Sequence, residues 1–566
     1  MAVTCHFTTT GESIPEALVL AADAFSLQGS QHPRFPRISR KEITFVKMTL
    51  FDWVLLLLGL GVVLYFWGTR TYRRFMKPGI PHDTPLPFIG SMGPTILKRQ
   101  PLTDTILDMY KAKKGRPYSV MFMFRIPMIV IFDLELIKTI TVKDFDYFPN
   151  RQMAVFENFN SLFSKALTCL KGQDWRDKRS ILSPVFTSSK MKTMFVLVSE
   201  CCQQFVNFLE ECFQNRPNGC GIQKDGNTLI LELKNFFNRY TNDVIATTAF
   251  GLGVDSLKQP KNEFFLMGQE TCNFGILKVL LVMSMPKLMK FLGISILPNR
   301  ICDFFSSLVK DTIATREREG IVRPDLLQLL MQAQKGNLQD ENSTEQQARS
   351  GRRVLDDEDV VAQCVVFFLA GFDTASTFIC FVCYHLAVDQ DIQTRLQKEI
   401  DETLREGGGK FSYEALNGMK YLDMVVSETL RMHPSPGADR VCVRNYTLQA
   451  DPPMELIPGD SVFIPIIGLH FDPNYFPDPD RFDPERFSDD NKHKINPLTY
   501  MPFGMGPRMC IGNRFALMET KLALTNLLSR FNIKVVPKTP IPMKIVQTGF
   551  GFGLKGGFWL GLERRS

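Results

Sequence analysis

The chain has 566 residues, of which 45% are hydrophobic and 22% are charged. This composition is typical of a globular protein and excludes a disordered, fibrous or wholly membrane-embedded chain. The net charge of +7 is small for this length, so it indicates a local basic face and gives no support for a nucleic-acid partner.

The first apolar segment is long enough to cross a membrane once. Residues Trp53 to Trp67 carry no charge, and adding the residues from Met48 onward gives the length of about 20 that a spanning helix needs. The two tryptophans stand where interfacial aromatic residues lie, and a basic flank follows over 70–77. We therefore predict a retained transmembrane anchor over residues 48–69 and not a cleaved signal peptide.

Residues 1–47 do not fit the start of such a protein. Their basic residues nearly cancel the orientation signal of the flank that follows the anchor. A chain that began at Met48 would have no Lys or Arg before the anchor, and its orientation signal would be clear. We hypothesise that residues 1–47 are an atypical extension, wrongly included in the chain. Residues 70–90 are basic and rich in proline, which predicts a semi-rigid linker.

The remaining sequence predicts a mainly α-helical body with small β-sheets. Residues 118–132 are typical of two short strands, broken at Arg125–Pro127, and residues 160–330 have mostly helical periodicity. Residues Val360 to Tyr384 form a long apolar segment with Asp373 inside it. Because Asp373 is costly in lipid and no basic flank follows, we predict a buried central helix and not a second span.

The strongest local signal is a cysteine in a glycine-rich loop. Residues Phe503 to Gly512 read Phe-Gly-Met-Gly-Pro-Arg-Met-Cys-Ile-Gly and precede an apolar helical run. Glycines let the backbone approach a flat cofactor closely, and amides at a helix start lower the pKa of a thiol. The spacing Phe-x-x-Gly-x-Arg-x-Cys-x-Gly resembles the haem-binding loop of the cytochrome P450 family.

This resemblance implies a cofactor and its ligands. Cys510 would be the axial thiolate ligand of the iron of haem b, a ligand that favours cleavage of the O–O bond. Phe503, Gly506 and Gly512 would belong to the loop that holds the haem, and Arg508 would neutralise a haem propionate.

Two further segments resemble propionate-binding positions of the same family. Trp175 and Arg179 match the family's Trp-x-x-x-Arg helix, whose Trp and Arg contact the haem propionates. Arg440 matches another propionate-binding position.

Glu428 and Arg431 lie one helical turn apart, a spacing that is common on exposed helices and usually worth little. Together with the sequence Pro-Glu-Arg-Phe at 484–487, they resemble the family's Glu-x-x-Arg helix and the arginine that joins it. The resemblance implies that Glu428, Arg431 and Arg486 form a structural ion network near the proximal side of the haem.

Asp373 is the only Asp, Glu, Lys, Arg or His between Val360 and Tyr384, and a buried carboxylate is costly without partners. The sequence Ala-Gly-Phe-Asp-Thr at 370–374 resembles the family's oxygen-activation motif. By that resemblance Asp373 and Thr374 are catalytic and deliver protons as an acid and an alcohol. Ala375 departs from the commonest pattern, in which a second Thr or Ser follows.

Five motifs in the family's order imply one P450 fold over residues 91–566 in place of several domains. They resemble a microsomal enzyme of the insect detoxification branch. Such an enzyme is a monooxygenase of lipophilic substrates that receives NADPH electrons through cytochrome P450 reductase, with cytochrome b5 as a second candidate partner. It would be anchored in the endoplasmic reticulum membrane by its single N-terminal helix, with a cytoplasmic catalytic domain.

The resemblance also suggests a docking face and a substrate pocket. An acidic flavoprotein could dock on basic residues near the proximal face, namely Lys171, Arg176, Lys178, Lys190, Lys192, Lys492 and Lys494. The chain has 47 Phe against 12 Tyr and 4 Trp, which suits an apolar pocket. The pocket candidates are Phe156, Phe159, Phe163, Ala370, Phe372, Ser435, Pro436 and Phe550.

Two other functions stay open at this stage. One is a P450-like isomerase or dehydratase that rearranges peroxides without the reductase; the retained Asp373–Thr374 pair counts against it, because such enzymes need no proton delivery to dioxygen. The other is a non-enzymatic membrane protein that binds haem.

Overall fold

The computed structural model describes residues 49–97, 99–152, 161–214, 221–272, 278, 281–282, 285–295, 298–336, 355–548 and 551–565. The predicted extension 1–47 and Met48 lie outside these residues. Packing contacts divide the chain between Val63 and Leu64 into two units. In the first unit the described residues are the beginning of one helix, and the second unit contains the remainder of the chain.

The predicted N-terminal apolar helix is present as α1 (Leu50–Thr69). Its mean hydropathy is 2.1, and none of its apolar window is buried. Leu50, for example, is 83% exposed. A second helix, Asp357–Val388, is also long and apolar enough to cross a membrane, but 61% of its apolar window is buried within the protein. This burial agrees with the predicted central helix.

The segment predicted as a linker packs against the body. Tyr72 and Phe75 within it are only 1% and 4% exposed, and the Tyr72 hydroxyl donates a hydrogen bond of 2.7 Å to the carbonyl oxygen of Phe124. The prolines stiffen this segment, and the two aromatic side chains fix it to the sheet that follows.

The body is mainly helical, as predicted. Its longest helix, α13, is apolar on nearly all sides, a pattern typical of a fully buried helix. The helix begins with a capping box between Asp356 and Asp359, and its acidic first turn suits the positive end of the helix dipole. The helices after α1 are α2 (Gly93–Ile96), α3 (Leu102–Lys113), α4 (Leu134–Lys138), α5 (Ser161–Ser164), α6 (Gly172–Leu182), α7 (Ser188–Gln214), α8 (Leu233–Ile245), α9 (Glu263–Cys272), α10 (Pro286–Phe291), α11 (Asn299–Glu319), α12 (Leu326–Gln334), α13 (Asp357–Val388), α14 (Gln390–Glu406), α15 (Tyr413–Gly418), α16 (Lys420–Met432), α17 (Ile466–His470) and α18 (Asn513–Leu528).

The described strands form four small sheets. A four-stranded sheet has the order β1-β2-β8-β5, in which β2 and β8 run parallel and the other neighbours antiparallel. A second antiparallel sheet has the order β3-β4-β12-β9, and β6-β7 and β10-β11 are hairpin-like pairs. The strands are β1 (Tyr118–Met123), β2 (Ile126–Ile131), β3 (Gln223–Asp225), β4 (Thr228–Glu232), β5 (Ala438–Val441), β6 (Tyr446–Leu448), β7 (Met454–Leu456), β8 (Ser461–Ile464), β9 (Phe531–Lys534), β10 (Ile545–Thr548), β11 (Gly551–Leu554) and β12 (Trp559–Arg564).

The break between β1 and β2 lies slightly earlier than predicted. Phe124, with a φ of 56°, and Arg125 make the turn. Pro127 pairs with Phe122 inside the ladder, near the start of its strand, where the missing N–H group is tolerated.

Two hydrophobic cores support the body. The larger surrounds α13, which packs against α8, α11, α16 and α18; the smaller lies beneath the first sheet. Gly371 lets α13 approach α8 closely, since a Cβ atom there would lie 2.6 Å from Cδ1 of Ile245. The segment of α13 around Gly371 is therefore held close to its neighbours, and this is the segment that reaches the site.

Candidate active site

A cavity of about 540 Å³ lies between α13, α18 and the loop before α18. Its walls include Ala370 and Thr374 from α13, Phe515 and Ala516 from α18, and Cys510 from the loop. A mostly apolar cavity of this size, with a few polar groups, has the dimensions of a small-molecule or cofactor site.

Local backbone geometry brings Cys510 to the cavity. The Cys510 amide donates a hydrogen bond of 3.0 Å to the carbonyl oxygen of Phe503, which closes the loop. Gly506 has a φ of +71°, and a Cβ atom there would lie 2.0 Å from the carbonyl oxygen of Thr141. No other residue type fits this position, so the glycine is required for the close packing that holds the loop. Phe503 and Gly512 line the cavity, whereas Gly506 supports the loop from behind.

Cys510 differs from the other cysteines of the described chain because its side chain is exposed, and the space it faces is the cavity. Burial on its other sides raises the pKa of the Cys510 thiol, while a hydrogen bond from the Gly512 backbone and the charges of Arg151 and Arg179 oppose that rise. Within the described residues, no group of three or more His, Cys, Asp or Glu side chains could hold a metal ion. Cys510 is the one cysteine among the described residues that line the cavity, so it is the one candidate thiolate ligand there.

Four arginines gather at this cavity. Arg151, Arg179 and Arg508 line it, and Arg440 lies beside them. Burial and the neighbouring guanidinium groups lower the pKa of Arg508 to about 9, and burial together with Arg151 lowers the pKa of Arg440 to about 10. The buried Nε of Arg440 has no hydrogen-bond partner. Buried cations that lie close together are costly unless anions compensate their charge. The two propionates of haem b fit that requirement.

Arg508 is also part of the cavity wall. Its Nε donates a hydrogen bond of 2.8 Å to the carbonyl oxygen of Pro149, and its Nη2 donates one of 2.9 Å to that of Leu170. Its guanidinium lies 3.9 Å from the ring centroid of Trp175, a cation–π contact. The predicted Trp175 thus lines the cavity and supports Arg508.

Arg151 was not found by sequence analysis. Its Nη2 donates a hydrogen bond of 2.9 Å to the carbonyl oxygen of Arg508, which brings it to the same group of cations. No local pattern around Arg151 indicates this role, because its partner is 357 positions away in the chain.

Thr374 and Asp373 are neighbours with different surroundings. The Thr374 hydroxyl lines the cavity and donates to the carbonyl oxygen of Ala370. Asp373 does not line the cavity within the described residues. Its Oδ1 lies 2.8 Å from Nζ of Lys234 on α8, and their side chains are 20% and 17% exposed.

Lys234 contacts other groups of α13 besides the Asp373 carboxylate. Its ammonium group also donates to the backbone oxygen of Asp373 at 2.9 Å and to the hydroxyl of Ser376 at 2.7 Å. Lys234 therefore joins α8 to the segment of α13 that reaches the cavity. Sequence analysis did not identify it.

The Glu428–Arg431 pair of the predicted ion network is fully inside the protein. Nε and Nη2 of Arg431 donate to the two carboxylate oxygens of Glu428 at 2.7 and 2.8 Å, and both side chains are completely buried. Arg431 also donates to the carbonyl oxygens of His470 and Pro479. The third predicted member, Arg486, approaches Glu428 at 3.4 Å.

The pocket candidates separate into three groups. Ala370 and Ser435 line the cavity, while Pro436 does not among the described residues. Phe372 faces an aromatic cluster instead, with its ring 5.3 Å from that of Phe368, and Phe367 takes its place on the cavity wall. Phe156, Phe159 and Phe550 lie outside the described residues, as does the side chain of Phe163.

Comparisons with known proteins agree with this geometry. The sequence profile of the family described as cytochrome P450 matches residues 80–559. The chain is 50% identical to cytochrome P450 9e2 of Blattella germanica over 526 residues, which cover 92% of this chain and 99% of the relative. It is 38% identical to cytochrome P450 9b2 of Drosophila melanogaster, over 92% of this chain and 100% of the relative. It is 36% identical to cytochrome P450 6j1 of Blattella germanica, over 89% of this chain and 96% of the relative.

The relatives are insect proteins, and the matches run through every motif around the cavity. The chain therefore belongs to the cytochrome P450 family, in its insect branch, and is a P450 monooxygenase.

Proposed function

We propose that this enzyme is a microsomal haem-thiolate monooxygenase that inserts one oxygen atom of dioxygen into lipophilic substrates, with NADPH electrons from cytochrome P450 reductase. The observation that carries the proposal is Cys510, the one cysteine among the described residues that line the cavity, beside four buried or half-buried arginines. These are the ligand and the counter-charges that a thiolate-bound haem b requires.

Each group of the site would then have a distinct task. Bound haem would supply the activation of dioxygen. Cys510 would bind the iron, and the arginines would hold the propionates by charge-assisted hydrogen bonds. The Thr374 hydroxyl would hold a proton at the cavity wall, and the Asp373–Lys234 pair would connect that wall to the partly exposed surface.

A lipophilic substrate is supported by the cavity wall. Leu167, Phe186, Val366, Phe367 and Ile466 contribute apolar side chains to it. Such a wall favours apolar ligands by removing their surface from water, at about 25 cal/mol per Å². The same side chains exclude bulk water from the reacting group.

We place the enzyme on the endoplasmic reticulum membrane, with the catalytic body in the cytoplasm. Support comes from the exposed apolar surface of α1. A second apolar surface lies at α10, where Leu288 and Phe291 are 45% and 85% exposed and Lys287 and Lys290 are also exposed. Apolar side chains next to lysines are typical of a segment that lies in a membrane interface.

The reductase would dock on the exposed members of the predicted basic group. Lys178 is not one of them, because it pairs with Asp359 and the two side chains are only 13% and 7% exposed. Lys492 is 60% exposed, and Lys494 is exposed as well. Lys492 pairs with Asp489 at 2.6 Å, but this exposed ion pair is weak, so both lysines could contact an acidic partner.

A charge-reversal experiment tests this docking site. Lys492→Glu combined with Lys494→Glu should raise the reductase concentration needed for half-maximal turnover and flatten its salt dependence, because fewer charges steer the encounter. Lys258→Glu, an exposed lysine outside the group, is the matched control. Unchanged reductase dependence in the double variant would make this docking site wrong.

Isotope labelling tests the proposed reaction. The full-length enzyme with reductase, NADPH and a lipophilic substrate should incorporate one labelled atom from ¹⁸O₂ into the product. Turnover of an organic peroxide without reductase or NADPH, with no uptake of label, would show instead a peroxide isomerase or dehydratase.

A further inference from the structure

One buried glutamine on α13 holds the chain segment that forms a wall of the cavity. Gln363 is completely buried. Its Nε2 donates a hydrogen bond of 3.0 Å to the carbonyl oxygen of Lys165. Its Oε1 accepts a hydrogen bond of 3.0 Å from the amide of Leu167. One side-chain amide thus binds the backbone on both sides of Ala166.

Gln363 lies on the face of α13 that reaches the cavity. Residues 363, 367, 370 and 374 follow each other at helical spacings of three and four, which places them on one side of the helix. Phe367, Ala370 and Thr374 line the cavity. One turn before Phe367, the same face meets the segment 165–167 through Gln363.

The held segment is itself part of the cavity. Leu167 and Thr168 directly contribute to its lining. Leu167 is 5% exposed, and its amide is the donor to Gln363. The position of this wall relative to α13 therefore depends on the two hydrogen bonds of Gln363.

The ion pairs that join this segment to the start of α13 are more exposed. Lys165 pairs with Asp356 at 3.1 Å and with Glu358 at 2.6 Å, and the two carboxylates are 60% and 61% exposed. Exposed ion pairs contribute little to stability. Buried hydrogen bonds contribute more, because breaking them leaves polar groups without partners.

We propose that Gln363 is a positioning residue that fixes the wall formed by Leu167 and Thr168, and thereby sets which sizes of lipophilic ligand reach the cavity and how fast. The ligand class rests on the proposed function, whereas the role of Gln363 in holding the wall rests on its own contacts. Loss of the two bonds should loosen residues 165–168 while leaving the Cys510 loop in place.

The test uses two substitutions in the full-length, haem-loaded enzyme. Gln363→Met keeps the length of the side chain and removes both hydrogen bonds. Gln363→Glu keeps both when the acid is protonated, since its hydroxyl can donate to Lys165 and its carbonyl can accept from Leu167. Burial favours the protonated acid at pH 6, so the variant should behave like the wild type there. Ionisation at higher pH removes the donor to Lys165 and keeps the acceptor for Leu167, so at pH 9 the variant should lie between the wild type and Gln363→Met.

A second glutamine provides a matched control. Gln393 on α14 is 2% exposed. Its side chain donates to the carbonyl oxygens of Leu386 and Ile533 and accepts from the amide of Ile533, all at 2.8 Å. Gln393 thus also binds backbone groups through its side-chain amide, and among the described residues neither it nor its partners Leu386 and Ile533 line the cavity. Gln393→Met therefore reports the general cost of losing such a clamp.

Two measurements follow the variants. The first is amide hydrogen exchange over residues 165–170, which Gln363→Met should accelerate about tenfold. The second is the association rate of two iron-binding probes, followed by the ferric haem spectrum: 1-phenylimidazole and the much larger 1-tritylimidazole. Gln363→Met should raise the rate for the larger probe several-fold and change that for the smaller one little.

Unchanged exchange at 165–170 together with unchanged probe rates in Gln363→Met would overturn the proposal. Equal changes in probe rates in Gln393→Met would also overturn it, because the effect would then be general loosening. Failure of the proposed function would appear separately, as a wild-type protein without a haem-thiolate spectrum. The exchange measurement would still test the clamp in that case.

Discussion

At the scale of single residues, the proposed delivery of protons to the cavity depends on a lysine from another helix. Lys234 neutralises Asp373 at 2.8 Å, in surroundings where both side chains are at most 20% exposed. Thr374, the next residue, faces the cavity. A proton that travels from solvent to the cavity wall would therefore pass this ion pair.

Lys234→Met should lower the product formed per NADPH consumed by about tenfold, since a positioned acid contributes at least that much to proton transfer. It should also change the solvent isotope effect on turnover, which a purely structural defect would not do. Lys234→Arg keeps the charge and should retain most of the coupling. An isotope effect in Lys234→Met equal to that of the wild type would contradict this role.

Glu519 is a second unusual residue of the cavity. It lines the cavity from α18 and is only 1% exposed, and neither carboxyl oxygen has a hydrogen-bond partner. Burial raises the pKa of Glu519 well above its usual value. The folded protein thus keeps a proton that the unfolded chain loses above about pH 4.5.

This difference makes Glu519 increasingly destabilising as the pH rises. Above the unfolded pKa, the free energy of unfolding should fall by about 1.4 kcal/mol per pH unit from this group alone, until the folded pKa is reached. Glu519→Gln cannot ionise, so its free energy of unfolding should not show this pH-dependent fall. Between pH 5 and pH 8, the thermal midpoint of the wild type should therefore fall relative to that of Glu519→Gln. If the two midpoints change with pH in parallel, the raised pKa of Glu519 is wrong.

At the scale of elements, α16 is joined to the segment after it by charge and hydrogen bonds. Arg431 makes contacts with Glu428, His470 and Pro479 at 2.7 to 2.9 Å, inside the protein. Arg486 is farther from Glu428, at 3.4 Å, and 12% exposed. The buried Glu428–Arg431 pair therefore contributes most of the stabilisation that the network provides.

Arg431→Met should lower the free energy of unfolding by about 3–5 kcal/mol, because it leaves a buried carboxylate poorly compensated. We expect little folded, haem-containing protein from this variant. Arg486→Met is the matched control and should cost clearly less. Chemical unfolding in detergent, with haem content as a second readout, measures both, and equal costs would contradict this ranking.

The helix α13 shows what the sequence could and could not predict about the site. Cavity residues Phe367, Ala370 and Thr374 follow the helical period. Phe372 precedes Thr374 by two positions, which places it on another side of the helix, so periodicity alone was sufficient to exclude it from the pocket. The hydrogen bonds of Lys234 and Gln363 had no such signal, because their partners are 139 and 198 positions away.

At the scale of the whole molecule, the fold class and the family could be predicted because the motifs occur in one order along the chain. The N-terminal apolar helix α1 was predictable from length and hydropathy. The attachment of residues 70–90 to the body was not, because proline content describes stiffness and says nothing about the surface on which a segment packs. The burial of the Tyr72 and Phe75 side chains shows that this segment packs against the body.

Two truncations test this organisation. Removal of residues 1–63 should leave the body folded and release more of the protein from membranes. Removal of residues 1–77 also deletes Tyr72 and Phe75 and should lower the thermal midpoint, because about 1.5–3 kcal/mol is lost for each large buried side chain. Equal midpoints for the two truncations would show that residues 70–77 contribute nothing to the body.

The most direct test of the central claim is the absorption spectrum of the reduced protein with carbon monoxide. We predict that the wild-type enzyme shows the red-shifted Soret band of a thiolate-ligated haem, and that Cys510→Ser loses this band while the fold is retained. A wild-type protein without the red-shifted band, or a Cys510→Ser variant that still shows it, would contradict the assignment of Cys510 as the iron ligand.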